Sequence, residues 1–466
     1  MSGNLTKGSE KMINENRHCG EPAKLRITDL KICKVHIPPW GTHLIRIETN
    51  QGLVGYGELR DGASPTYVKL LKSRILGENP CEVERLIQKL RPFGGPSRQS
   101  AGVSAIEVAL WDLAGKAYEV PVYQLLGGRQ RNQIRLYADT HIESGRFTGD
   151  VMAPEEVGQK LLSYIAEGFS VLKILSVELL MYQKGNISGP TDWLRDFRAI
   201  EGQMREVAKL GDKEEVSKLN AKMYDYNNLA HPFTNLHVTE QGLEALDEYI
   251  GRIRAVIGSE VPLAIDHFGH FPLADMVKIA NRLEKHNLAW AEDMLPWHLT
   301  KQYEQLGMKT NIALATGEDI YLAEGFKPLL KTGALAVVHP DLLTIGGILE
   351  TKKLSTLAAR YGASMALHMC ESPIASIACA HAATASENFF ALEYDAIDMP
   401  WWHDIIIGEA KTAFGKGVMM VSDAPGLGIT GIDEEVVREY GLNREKDIWV
   451  STDEWNHERS LDRIWS

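Results

Sequence analysis

Six ionisable side chains each follow a short apolar run: Asp266 after PLAI, Glu292 after LAWA, Glu318 after IALATG, Asp341 after AVVHP, His368 after SMAL and Glu393 closing FFAL. Successive gaps are 26, 26, 23, 27 and 25 residues, each about one strand–helix unit. Polar residues at one phase on successive barrel strands meet at the C-terminal mouth. Asp266, Glu292 and Glu318 come from adjacent strands, so three carboxylates are expected within a few ångströms. Unpaired and buried, they could not all stay ionised. A hard divalent cation with oxygen ligands removes the conflict, and Mg²⁺, with part of its shell left to water or substrate, fits best. One carboxylate after a strand would serve as well as a helix N-cap. Three in phase, with the same apolar lead-in, favour the metal.

His368 and Asp341 lie on neighbouring strands, where a carboxylate can hold an imidazole in one tautomer and raise its basicity. That is the arrangement of a general base. Lys173, after Val171-Leu172 on the second strand, points to the same mouth. It can neutralise a substrate oxygen or act as a base; the plainer reading is a core lysine with a snorkelling head.

The elements that must position these groups are legible as eight short apolar strands, each followed by an amphipathic helix. They are 134–138, 171–175, 263–265, 289–291, 312–315, 336–338, 364–367 and 389–392. The fold expected is α/β, a modified (β/α)8 barrel of the (β/α)7β kind. Ahead of it, Leu25–Leu59 reads as strands with a hairpin turn at Asn50-Gln51-Gly52. Ser104–Tyr118 reads as a helix with Ile106, Leu110, Leu113 and Ala114 on its buried face. These make an α+β capping domain. The expected boundaries are a loose leader over 1–23, the cap over 24–133, the barrel over 134–398 and a C-terminal segment over 399–466 packing back on the cap. One connection is too long for a βα unit, and 176–238 is read as an insertion over the mouth, with a charged helix (Trp193–Lys222) and an aromatic loop (Tyr224–His237). A surface or oligomer-contact insertion is the alternative.

Composition limits the partners. The 466 residues are 44% hydrophobic and 24% charged, the balance of an ordinary globular chain. A net charge of −12 without a Lys/Arg run argues against nucleic acid. The five cysteines are scattered and lack CxxC spacing, which suits a reducing compartment. No run approaches the ~18 apolar residues of a membrane span, so no membrane partner and a cytoplasmic location are expected.

Together these residues resemble the mandelate racemase/muconate-lactonizing group of the enolase superfamily, from Leu25 to about Gly441. The most specific part is GVSAIEVALWDLAGKAYEVPVYQLLGG (Gly102–Gly128), joined by the acid spacing, PDLLTIGG (Pro340–Gly347) and PGLGITGIDEE (Pro425–Glu435). The resemblance implies a cap on a barrel, Mg²⁺ on Asp266, Glu292 and Glu318, and removal of the proton beside a substrate carboxylate through a stabilised enediolate. It also implies that Glu393, when protonated, donates a hydrogen bond to that carboxylate. Many members carry Lys-x-Lys on the second strand; here Lys173 is followed by Ile174 and Leu175, which leaves Asp341–His368 as the base. That pattern is similar to the galactonate and mannonate type of sugar-acid dehydratase, as is AWAEDMLP at Ala289–Pro296.

Those dehydratases tend to carry Asp-x-His, whereas this chain reads Asp266-His267-Phe268-Gly269-His270. The leaving-group acid is therefore His267 or His270 in a shifted geometry, or the reaction differs; a plain surface histidine is the other reading of His270. The leading expectation is dehydration of an aldonic or aldaric acid to a 2-keto-3-deoxy acid by a homo-oligomer. Trp40, His43, His141 and Trp297 would line a mouth for a hydroxylated small molecule. An epimerase or cycloisomerase is the alternative enzyme, and a catalytically silent binding barrel the alternative of another kind.

Overall fold

The computed structural model describes residues 21–37, 40–140, 151–175, 236–266, 271–397, 399–441, 443 and 445–458, with short stretches between 180 and 227. Three antiparallel strands, β1 (Ile27–Ile37), β2 (Trp40–Thr49) and β3 (Val54–Glu58), open the chain in the order β1-β2-β3. The β2–β3 turn falls at Asn50-Gln51-Gly52, where Gly52 takes the left-handed φ of 80° that a tight hairpin requires. Two helices build on this sheet: α1 (Val83–Leu90) packs against α2 (Ala101–Tyr118), and α2 covers β2 and β3.

Helix α2 differs from the one-faced helix expected of it: Ala101–Leu110 is buried without a break. It is sandwiched between β3 and the barrel, so both faces must be apolar. Its approach to β3 is close enough that a Cβ on Gly57 would collide with the Ala105 carbonyl.

Eight parallel strands then close into a barrel: β4 (Ile134–Thr140), β5 (Leu172–Leu175), β6 (Leu263–Asp266), β7 (Ala291–Glu292), β8 (Leu314–Thr316), β9 (Leu335–Val338), β10 (Ser364–Leu367) and β11 (Phe389–Tyr394). Each pairs with the next, and β11 returns to β4 at Leu392↔Leu136. Helices α3 (Pro154–Ala166), α4 (Lys213–Asn227), α5 (Glu240–Ile257), α6 (Leu273–Leu283), α7 (Thr300–Gly307), α8 (Lys327–Thr332), α9 (Ile348–Ala359) and α10 (Pro373–Thr384) lie between the strands. No βα-type helix follows β11 among the described residues; short 3-10 turns do. The barrel interior alternates bulk and space. Tyr137 and Trp290 fill it against Ala264, Ala315, Ala366 and Ala391.

Of the insertion, α4 and a two-residue ribbon (Ile187–Ser188 with His237–Val238) are described. Tyr224–Asn227, read from sequence as loop, continues α4 as helix. A helical period in KEEVSKLNAKMYDYN carries through the aromatic residues that suggested a loop. The C-terminal segment sets β12 (Val418–Met419) antiparallel to β4, then bridges Val450 to Ile32 on β1. No described helix is long and apolar enough to cross a membrane.

Candidate active site

Every member of the expected series stands at or just past the C-terminal end of its strand. Asp266 ends β6, Glu292 ends β7, Glu318 follows β8, and Asp341 follows β9. His368 follows β10, and Glu393 lies within β11. Lys173 is on β5. Strand adjacency, Ile265 against Ala291 and Ala315 against Glu292, sets the three acids side by side.

The best-formed geometry is the histidine corner. Asp341 Oδ1 accepts from the backbone N–H groups of Leu343 (2.7 Å) and Thr344 (2.9 Å), so it caps the turn after β9. Its other oxygen, Oδ2, lies 2.8 Å from His368 Nδ1. One carboxylate thus does both jobs that the sequence left as alternatives, cap and imidazole orienter. The second ring nitrogen, Nε2, faces Glu318 Oε2 at 3.1 Å and Glu393 Oε2 at 3.8 Å. Burial pushes the imidazole down, but Glu318, Glu393 and Asp341 outweigh it and hold its pKa well above the ordinary value.

Lys173 is the hub of the other half. Its Nζ lies 2.6 Å from Glu393 Oε1, 3.0 Å from Asp266 Oδ2, and 3.5 Å from both Glu292 oxygens and from Asp139 Oδ2. Burial drives Glu393 well above the usual carboxylate range despite Lys173 beside it, and Met369 N donates to its Oε2 at 2.9 Å. Glu292 goes the other way. Burial alone would raise it, but His339 and Lys173 hold it down to about 2. His339 Nδ1 is 2.9 Å from Glu292 Oε1, and its Nε2 meets Tyr137 Oη at 2.8 Å; Trp290 Nε1 donates to Glu292 Oε2 at 3.0 Å. The barrel's interior aromatics therefore fix one metal candidate from below.

The sequence reasoning missed Asp139, His339 and Arg60. Asp139 was within reach: β4 runs to Thr140, two residues past the expected end at Ala138. His339 sits beside Pro340 in the lead-in to Asp341 and carried no pattern of its own. Arg60 comes from the cap and touches Glu318 across 258 positions of sequence.

The carboxylates do not stand as close as expected. Among the described residues, only Asp61, Cys370 and Glu371 place possible ligand atoms within 4.8 Å of one another. Lys173 stands against Asp266 and Glu292, while Arg60 Nη2 takes Glu318 Oε1 at 2.9 Å. The donor set nevertheless suits Mg²⁺: three hard oxygen ligands on adjacent strand ends, two of them fully buried. Burial and the pooled charge of Glu318, Glu292 and Asp266 hold the neighbouring Asp293 well above the carboxylate range. The Asp61–Cys370–Glu371 group is a poorer candidate. Arg98 already takes both Asp61 oxygens, at 3.0 and 2.9 Å, and Asp61 N and Cys370 N donate to Glu371 at 3.3 and 3.1 Å.

The remaining candidates are dispersed. Trp297 is half-buried on the loop after β7, edge-on to His298 at 5.7 Å. His43 is not brought to the cluster. Its ring borders a separate groove of about 140 Å³ lined by Lys34, Lys69, Asn443 and Thr452, where burial and the two lysines lower its pKa to about 4. Residues alternate faces along β2, and His43 is on the one turned toward the C-terminal segment. Trp40 opens β2 with its side chain outside the described set, and His141, His267 and His270 lie outside the described residues.

Residues 40–127 match the mandelate racemase/muconate lactonizing enzyme N-terminal domain, and residues 226–436 the enolase C-terminal domain-like family, together more than half of the chain. The chain belongs to the mandelate racemase/muconate-lactonizing group of the enolase superfamily. Within that superfamily it is 28% identical over 413 residues to the D-xylonate dehydratase of Haloferax volcanii, covering 87% of this chain and 86% of that one. It is 27% identical to the D-galactonate dehydratase of Verminephrobacter eiseniae over 91% of this chain and 95% of the relative. A solved mandelate racemase/muconate lactonizing enzyme-like protein from Rubrobacter xylanophilus superposes with a TM-score of 0.73 at 28% identity, over 90% of this chain and 98% of that chain. This superfamily member is thus an enzyme aligned with dehydratases, which are carbon–oxygen lyases.

Proposed function

We propose that this chain is a Mg²⁺-dependent dehydratase that converts an aldonic or aldaric acid into a 2-keto-3-deoxy acid. The observation that carries the reading is the 2.8 Å His368–Asp341 pair facing a buried set of strand-end carboxylates, with Lys173 among them. The relatives named for D-xylonate and D-galactonate support the substrate class. Asp266, Glu292 and Glu318 would hold the ion, which when bound supplies Lewis-acid stabilisation of the charge that develops as the α-proton leaves.

The protein's own groups do the rest. Glu393, kept protonated by burial, donates a hydrogen bond to the substrate carboxylate, and the Lys173 ammonium balances the charge beside it. His368 takes the α-proton on Nε2 while Asp341 fixes the Nδ1 proton. For that the imidazole must be neutral, so the charge of Glu318, 3.1 Å away, must be taken up elsewhere. The electron pair left on the α-carbon then expels the β-hydroxyl, which departs as water with a proton from His267 or His270, and the enol product ketonises. Trp297 would wall the hydroxylated end of the ligand; His43, in its separate groove, is left out of this reading. We place the enzyme in the cytoplasm, as a homo-oligomer; support for the compartment is that Cys33, Cys370 and Cys379 are free thiols.

The test is a set of aldonic and aldaric acids incubated with Mg²⁺ and assayed for keto-acid formation. Turnover that disappears on chelation and returns with Mg²⁺ supports the reading. Silence across the set sinks it, and solvent deuterium at the α-carbon without keto acid reassigns the chain as an epimerase or cycloisomerase.

A further inference from the structure

We infer that Arg60, supplied by the capping domain, is a positioning residue that sets where the third metal carboxylate stands relative to the base pair. The inference rests on the metal and base roles just proposed. Arg60 lies two residues past β3 and is 1% exposed. Its Nη2 donates to Glu318 Oε1 at 2.9 Å. Its Nη1 donates to the Glu318 carbonyl at 2.7 Å, to Asp319 Oδ1 at 2.8 Å and to Thr344 Oγ1 at 2.6 Å. Nε lies 3.5 Å from Asp61 Oδ1 and 3.8 Å from Asp341 Oδ2, the oxygen that holds His368.

One planar group therefore spans two barrel strand ends. On the β8 side it grips the Glu318 backbone and side chain together, so the carboxylate cannot turn as a free rotor. On the β9 side it grips Thr344, whose N–H is capped by Asp341 Oδ1. The metal ligand and the imidazole orienter thus share one rigid reference. With Oε1 engaged by the guanidinium, Oε2 is the Glu318 oxygen that faces His368 Nε2, at 3.1 Å. Only a fork of fixed donors can hold the Glu318 carboxylate through one nitrogen and the Glu318 carbonyl with Thr344 through the other, since a lysine ammonium has a single nitrogen. The barrel supplies no equivalent from its own strands among the described residues. Docking of the cap is then part of building the site.

The test compares R60K, T344V and R98K with the parent, reading Mn²⁺ binding by electron paramagnetic resonance without substrate, and kcat and KM with it. Arg98 holds Asp61 within the cap and reaches Asp319 Oδ1 of the barrel at 3.4 Å, but does not hold Glu318, so R98K controls for loosened docking. Expected for R60K is native circular dichroism, Mn²⁺ affinity weaker by about tenfold or more, kcat lower by about a hundredfold, and KM within about threefold. T344V, which keeps the charge and loses one acceptor, should lower kcat about fivefold at unchanged KM, and this arm stands even if R60K does not fold. R98K should leave Mn²⁺ affinity within about twofold. The inference is overturned if R60K and T344V match the parent in both readouts, if KM alone moves, or if R98K weakens Mn²⁺ as much as R60K. A parent that binds Mn²⁺ but turns over no sugar acid would remove the substrate reading and leave this test intact. A parent that binds no Mn²⁺ would overturn the inference together with the metal.

Discussion

The mouth of the barrel and the joint beneath the cap both bury carboxylates, and they treat them in opposite ways. At the mouth, Asp139, Asp266, Glu292 and Glu393 crowd around Lys173, and Glu318 and Asp341 crowd around Arg60 and His368. At the joint, two cap carboxylates are closed by backbone donors at the start of barrel helices. Glu58 accepts from Ser372 N (2.9 Å) and Ala375 N (3.2 Å) at α10, and from the Ser372 hydroxyl. Glu107 accepts from Ile348 N (2.8 Å) and Leu349 N (2.9 Å) at α9, and from Trp111 Nε1 (2.7 Å). The joint uses each carboxyl group once, as an acceptor closed by the N–H groups at a helix start. The mouth keeps more negative charge than its cations cancel, which is wasteful for stability and useful only if a cation and a substrate arrive. Arg60 belongs to both regions, and it ties the second to the first.

The sharpest way to break this contrast is at His368. H368N keeps a polar amide beside Asp341 but cannot accept the α-proton, so kcat should fall by about 10³-fold or more while Mg²⁺ binding persists. A variant with parent-like turnover would move the base elsewhere. Next in size is Lys173. K173M leaves four buried acids without their ammonium, and urea unfolding should show a loss of about 3–5 kcal/mol in chelator. Part of that loss should return in millimolar Mg²⁺, because an ion bound only by the folded state stabilises it. An unfolding free energy of K173M that is the same with and without the metal would mean that the mouth carries no cation site.

The six strand-end residues were legible because the spacing of a barrel repeats, and phase alone puts polar groups at one mouth. The barrel count, the β2–β3 turn and the run of helix α2 were legible for the same reason, since each is written in local period or turn chemistry. What period cannot encode is the side-chain state at the mouth. Lys173 stands against Asp266 and Glu292 while Arg60 takes Glu318, and the three acids do not gather within 4.8 Å of one another. Nor can it encode a partner from another domain, and Arg60 lay unread because its contacts are made only when the cap is docked. His43 shows the converse error. A histidine near the start of β2 looks like a mouth residue in sequence, but strand alternation turns it into the groove beside Asn443.

The smallest effect expected tests the joint through its pH dependence. Burial pushes Glu107 from its ordinary value near 4.5 up to about 8 against the pull of its three donors, and Glu58 up to about 7. A carboxyl whose folded pKa is raised binds its proton more tightly in the folded state, so its contribution is fully present below the ordinary value and is lost as pH rises toward 8. E107Q mimics the neutral acid at every pH. Relative to the parent it should melt at nearly the same temperature at pH 5 and higher at pH 9, by up to about 4 kcal/mol in unfolding free energy. If the donors at the α9 terminus outweigh burial instead, Glu107 is ionised throughout, and E107Q will be the weaker protein at both pH values. That outcome would make the joint a charge-stabilised one like the mouth, and the difference between the two regions would reduce to the number of acids each holds.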